Sequence, residues 1–136
     1  MIFSWLQGFL KTTGSNQLMG TGFHDQLAAL HWLQENIASF GGDPARITAM
    51  GHDTGAALVH YLLMSKITKG IIRRAILLSG AAVCPWAFVA DPLDTKQRVS
   101  EAVNCSVAKY DRDDVAPCVR KQPLSNLLAV DIPKPR

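Results

Sequence analysis

The chain has little of what several specialised functions require. Its apolar stretches fall far short of the eighteen or so residues of a membrane span, residues 75–78 with their flanks included. Residues 1–6 are apolar but lack the basic start, the length and the small-residue cleavage site of a secretory signal. Charge is scarce: 18% of residues are charged, the net charge is +3, and the cations are scattered. Arg73-Arg74 and Arg120-Lys121 are the only basic pairs, and no aromatic residue interleaves with them, so a nucleic-acid partner is not expected. There are three cysteines, with no Cys-x-x-Cys and no histidine cluster beside them. That pattern argues against a conventional zinc site, and no metal or other cofactor is expected. Internal repeats and low-complexity segments are absent.

What is present is an ordinary globular composition arranged as strands between helices. With 136 residues and 48% apolar content, a compact chain would bury about two-thirds of its unfolded surface. Residues 2–6 read as a strand and residues 11–22 as a loop of Thr, Gly, Ser and Asn. Phe23, Leu27, Leu30, Leu33 or Gln34, and Ile37 then recur at helical spacing, with Asp25 in the first turn. Phe40-Gly41-Gly42-Asp43-Pro44 stops that helix. Residues 47–50 read as a second strand, residues 55–64 as a helix apolar on nearly every face, and residues 71–78 as another β-rich run. Asp91-Pro92 opens a helix in the favoured cap-then-proline order and carries it to about Val103. Residues 113–121 and 123–130 read as two further short helices, and Pro133 and Pro135 as an extended tail. Strands separated by helices of this length point to an α/β fold with a parallel central sheet and flanking helices.

The most informative stretch is Met50-Gly51-His52-Asp53-Thr54-Gly55-Ala56. Gly51, His52, Asp53, Thr54 and Gly55 reproduce the glycine frame of a nucleophile elbow, Gly-x-Ser-x-Gly, with aspartate at the serine position. In such an elbow a strand turns sharply into a helix and the central residue is held strained and exposed. Glycines are expected on both sides because a larger side chain would collide with neighbouring backbone. The hydroxyl that attacks an ester is missing. A carboxylate does not replace it in ordinary acyl transfer, since the product would be a mixed anhydride.

Further residues carry a family resemblance. Residues 22–37, Gly-Phe-His-Asp-Gln-Leu-Ala-Ala-Leu-His-Trp-Leu-Gln-Glu-Asn-Ile, followed by Phe40-Gly41-Gly42-Asp43-Pro44, resemble the signature ahead of the nucleophile in type-B carboxylesterases and cholinesterases. Arg74-Ala75-Ile76-Leu77-Leu78-Ser79-Gly80 and Pro85-Trp86-Ala87 continue it, so the resemblance covers nearly the whole chain. Within the family the phrases Gly51-His52-x-Thr54-Gly55-Ala56-Ala57, Val103-Asn104-Cys105 and Cys118-Val119-Arg120-Lys121-Gln122-Pro123-Leu124 look most like the neuroligin-like adhesion proteins. Aspartate at position 53 is a departure, since glycine or serine would be more familiar there. The resemblance implies an α/β-hydrolase fold of which residues 1–136 are one piece, incomplete at both ends. The family's oxyanion loop would lie upstream, and its triad acid and histidine downstream. It also implies loss of the catalytic serine, a neurexin-like extracellular protein partner, and display on the outer face of the plasma membrane. His24, His31, His52 and His60 all fall close to the elbow in sequence, not where a triad base belongs.

Asp53 admits two readings. As the residue opening a helix, its carboxylate can accept exposed backbone N–H groups, a placement worth about 0.3–1 kcal/mol through the helix dipole. Gly-His-Asp-x-Gly also resembles the elbow of haloalkane dehalogenases and epoxide hydrolases, where aspartate attacks carbon by displacement. The flanking helix and strand match the esterase–neuroligin group instead. The resemblance further implies a disulfide-closed loop between Cys105 and Cys118, which would stabilise by about 3 kcal/mol. Cys84 is then a free thiol or a buried small hydrophobe; three reduced cysteines are the alternative. Asn104-Cys105-Ser106 is formally an N-glycosylation acceptor, with cysteine in its middle position. Two functions follow from these residues: a non-catalytic recognition module, or a hydrolase using Asp53.

Overall fold

The computed structural model describes residues 8–12, 21–88, 91–105 and 114–131. The strand expected at residues 2–6, the start of the helix expected at 113, and the tail at Pro133 and Pro135 lie outside the described residues. Two compact units are present, and each has its own apolar core.

The first unit, Phe23–Phe88, holds most of α1 (Thr21–Asn36), then β1 (Thr48–His52), α2 (Thr54–Met64) and β2 (Arg74–Leu78). Helix α1 begins two residues before the expected Phe23, so Thr21 and Gly22 are helical rather than loop, and Asp25 falls beyond the first turn. Its inner face is Phe23, Leu27, Leu30 and Leu33, continued by Ile37 just past its end; Gln34 is exposed, which settles the periodicity in favour of Leu33. A single 3-10 turn, Ile37–Phe40, follows. It ends at Gly41, whose φ of 81° is left-handed, and whose N–H, with that of Gly42, closes onto the carbonyls of Ala38 and Ile37. Asp43 caps the next 3-10 turn, Pro44–Arg46, by accepting the Ala45 N–H at 2.8 Å, and its second oxygen takes the Arg46 guanidinium at 2.6 Å. Those two contacts, the Ala45 N–H first, hold the Asp43 carboxyl below its ordinary pKa.

Strands β1 and β2 pair in parallel, from Thr48 opposite Arg74 to His52 opposite Leu78. Helix α2 connects them and packs on both. A strand turns alternate side chains to opposite faces, so Ala49, Gly51, Ala75 and Leu77 share the covered face. Thr48, Met50, His52, Arg74, Ile76 and Leu78 share the other, which is exposed. Small residues under the helix let it approach the sheet closely, and Ala56 and Ala57 are buried there. Leu30 of α1, Leu62 of α2 and Ile71 form the core, with Phe23, Ile47 and Ile72 against them. The β-rich run at 71–78 therefore divides: Ile71 and Ile72 enter the core, and pairing starts at Arg74.

The second unit contains α3 (Pro92–Ala102), α4 (Ala116–Val119) and α5 (Leu124–Leu128). Asp91 caps α3 as expected, accepting the N–H groups of Leu93 and Asp94 at 3.0 and 3.2 Å, with Pro92 in the first turn. Helices α4 and α5 are shorter than the sequence pattern suggests. Pro117 and Pro123 remove backbone donors at their starts. Val99, Val103, Cys105 and Val130 form the core, with Leu10, Cys118, Val119 and Leu127 packed on it. Lys96, fully buried on α3, is not anticipated by the sequence pattern.

Cys105 and Cys118 are joined, with Cα atoms 5.8 Å apart, and Cys84 is free and half-buried. The bridge ties the end of α3 to α4, and the Gln122 side-chain amide lies 3.9 and 4.0 Å from the two sulfurs. In protein exported from eukaryotic cells, peptide mapping without reduction should therefore show a Cys105–Cys118 crosslinked peptide and an alkylatable Cys84. A bridge to Cys84, or alkylation at both loop cysteines, would contradict the arrangement.

Candidate functional site at the strand–helix elbow

The site is built where β1 runs into α2. The Asp53 N–H donates to the Leu78 carbonyl at 2.8 Å, carrying the parallel ladder one residue past the strand. The chain then turns through Asp53 at φ 55° and ψ −120°, a combination that costs non-glycine residues of order 1–3 kcal/mol and persists only when surroundings impose it. The Asp53 carbonyl accepts the N–H groups of Ala56 and Ala57 at 3.0 and 3.3 Å and so caps α2 from the backbone.

Two glycines impose the turn. A Cβ on Gly51 would stand 2.3 Å from the Gly55 carbonyl oxygen and 2.6 Å from the Ala56 nitrogen, so the first turn of α2 rests directly on the strand. A Cβ on Gly80 would stand 2.2 Å from the Asp53 carbonyl oxygen, pressing the segment after β2 against the elbow from the other side. Ser79, just before it, is itself left-handed at φ 57°. Gly55 behaves otherwise: a Cβ there would meet nothing within 4 Å. The collision expected on both sides of Asp53 thus holds for Gly51 and not for Gly55.

The Asp53 side chain differs from its sequence reading as well. It makes no capping hydrogen bond, because a residue at positive φ turns its carboxylate away from the N–H groups its own carbonyl already holds. Asp53 as a whole is half-buried. Thr54 and Gly55 stand at the first two helical positions, where N–H groups have no intrahelical acceptor. The N–H after the central residue is the donor an esterase aims at its oxyanion. Here the residue ahead of that donor carries a carboxylate in place of a hydroxyl.

The histidines are dispersed. His24 and His31 lie on the exposed side of α1, and His52 on the bare face of β1. His60 is committed elsewhere: the Ala82 N–H donates to its Nδ1 at 3.2 Å, while the neighbouring Tyr61 hydroxyl donates to the Ala82 carbonyl at 3.2 Å. Adjacent residues of α2 thereby hold the backbone of Ala82 through both its N–H and its carbonyl, and Phe23 meets the Tyr61 ring edge-on at 5.6 Å. This clamp fixes the segment that carries Gly80. No local pattern in the sequence announces it. Among the described residues, no group of three or more His, Cys, Asp or Glu side chains converges as a metal site would need. No described helix is long and apolar enough to cross a membrane.

A strand, a central residue forced to positive φ, and a helix folded back over a glycine define the elbow of an α/β-hydrolase. The sequence profile of the Carboxylesterase family matches residues 6–134, and the chain belongs to that family. It is 41% identical over 127 residues to bile salt-activated lipase of Bos taurus, covering 93% of this chain and 21% of that protein. To the Homo sapiens lipase of the same name it is 40% identical, covering 93% of this chain and 17% of that one. To neuroligin-3 of Mus musculus it is 38% identical over 125 residues, covering 92% of this chain and 15% of that protein. The chain thus spans about one fifth or less of the length of these relatives, which fall on both the lipase and the neuroligin side of the family.

Proposed function

We propose that this chain is the elbow region of a non-catalytic, cholinesterase-like recognition module of the neuroligin type, displayed outside the cell and binding an extracellular protein partner of the neurexin kind. One observation carries the reading: the residue held in the nucleophile's strained position is Asp53. Acyl transfer needs a nucleophile that leaves a stable ester, and a place for negative charge to develop on the carbonyl oxygen. Asp53 suits neither, since its acyl product would be an anhydride and a charged carboxylate at the nucleophile's position opposes further negative charge developing next to it. No histidine among the described residues is hydrogen-bonded to it. Likeness to the neuroligins supports the adhesion role, the extracellular setting and the partner class. The disulfide supports an oxidising compartment.

A second reading is favoured by a specific feature: Asp53 is strained, half-buried and free of capping contacts, the state in which an aspartate can attack carbon. One assay separates the two. The full-length protein should hydrolyse short acyl esters, alkyl halides and epoxides no faster than buffer, and Asp53→Asn should change nothing. Turnover that disappears in Asp53→Asn would replace the recognition reading by the hydrolase one.

A further inference from the structure

We propose that Asn104 carries an N-linked glycan, added before the Cys105–Cys118 bridge closes. The proposal rests on the export reading above, since the transferring enzyme and its substrate occur only in the secretory route. Asn104-Cys105-Ser106 supplies the acceptor pattern. Ser106 enters by sequence alone. In the folded chain Asn104 is exposed, and its side-chain amide has no hydrogen bond to any described residue. Its backbone is what the fold uses. At φ 52° Asn104 closes α3, with its N–H on the Glu101 carbonyl at 3.2 Å and the Cys105 N–H on the Ser100 carbonyl at 2.9 Å. That is the paired bonding of a left-handed helix end, a position asparagine tolerates and most residues do not. The residue is thereby exposed at the helix end, with its backbone and not its side chain used by the fold.

The same geometry sets the order of events. Transfer requires the three acceptor residues laid open in the enzyme's groove. In the fold the middle residue, Cys105, is 7% exposed, packed on Val99, Val103 and Val130, and bonded to Cys118. Once the bridge is closed the acceptor cannot be opened without breaking the core. The glycan must arrive on the unfolded, thiol-bearing chain. In the transfer, the Asn104 amide nitrogen bonds to the anomeric carbon of a lipid-diphosphate oligosaccharide. The bond from that carbon to the diphosphate oxygen breaks, the lipid diphosphate departs with the bonding pair, and the amide proton passes to a base of the transferase. Closing the bridge is separate: Cys105 and Cys118 lose two protons and two electrons to a disulfide of the compartment's oxidoreductases. Glycan transfer and bridge closure compete for the same open Cys105.

The test uses the full-length protein expressed in eukaryotic cells, treated with a glycoamidase in heavy-oxygen water and mapped without reduction. Substituting Asn104 itself would disturb the helix end, so Ser106 and Cys118 are the positions to vary. A fraction of Asn104 should be recovered as heavy-oxygen aspartate, and Ser106→Ala should abolish that signal. Ser106→Thr should raise occupancy several-fold by strengthening the acceptor without touching the bridge, and Cys118→Ser should raise it by removing the competitor. A closed bridge with unlabelled Asn104 in both the wild type and Ser106→Thr would overturn this site and leave the export reading standing. Labelling that Cys118→Ser leaves unchanged would overturn the order of events. A protein retained inside the cell with both thiols reduced would overturn the export reading and this site with it.

Discussion

Gly51→Ala in the full-length protein should prevent folding of the domain, and Gly80→Ala should come close to it. Each added methyl meets backbone: the Gly55 carbonyl oxygen at 2.3 Å in the first case, the Asp53 carbonyl oxygen at 2.2 Å in the second. Ordinary carbon–oxygen contact is about an ångström longer, and backbone at a helix start cannot swing aside as a long side chain can. The first turn of α2 would have to lift off β1, breaking its seat over Ala56 and Ala57, both buried against the sheet. Overpacking usually costs about 1–3 kcal/mol, and a contact with fixed backbone belongs at or above the upper end. Gly41→Ala supplies the contrast. A Cβ there meets nothing within 4 Å, and only the left-handed φ of 81° opposes it, a cost of about 1–2 kcal/mol. Secretion yield and urea midpoints should therefore rank Gly41→Ala well above the other two. Wild-type stability in Gly51→Ala would show that α2 does not rest on the strand.

These three glycines also show how much the residues disclose by themselves. The frame Gly51-x-Asp53-x-Gly55 places the elbow, the spacing of Phe23, Leu27, Leu30 and Ile37 places α1, and Asp91-Pro92 places the start of α3. Each is a local signal, because periodicity, capping and turn chemistry act over a few residues. What stays hidden is contact between distant residues. Nothing near Gly80 says that it will lie under Asp53, nothing near His60 and Tyr61 says that they will clamp Ala82, and Lys96 reads as a surface cation while being fully buried. Gly55 errs in the opposite sense: it looks like Gly51 in sequence, yet a Cβ there would meet nothing within 4 Å. The role of Asp53 is half legible. Its place at a helix start follows from the motif, but the strained φ that sends its carboxylate away from the helix follows from the packing of Gly51 and Gly80.

The 136 residues expressed alone should not form a stable monomer. They supply two paired strands among the described residues, β1 and β2, and in α/β-hydrolases such strands sit within a larger parallel sheet covered on both faces. Here α2 covers one face. The other presents Met50 at 69%, Ile76 at 47% and Leu78 at 45% exposure, three large apolar side chains that a stable surface would not set side by side. Helix α2, apolar nearly all round, leaves Leu63 and Met64 exposed at its end as well, although such a composition suits burial on every side. Leaving a few hundred Å² of this surface in water costs several kcal/mol at about 25 cal/mol per Å². Whole domains keep only about 5–15 kcal/mol of net stability, so a deficit of that size removes most of it. Among the described residues the two strands pair only with each other, so their outward edges offer backbone groups to another copy. The Cys105–Cys118 bridge does not help, because it closes a loop in the other unit and leaves the sheet as it is. Isolated chain should therefore sediment as aggregates, or as a compact species with retained helical dichroism, no sharp thermal transition and exposed apolar surface that binds hydrophobic dyes. Adding the rest of the protein should restore a cooperative transition. A sharp two-state melt together with monomeric sedimentation would show instead that these residues form a complete small domain and that the bare sheet face needs no cover.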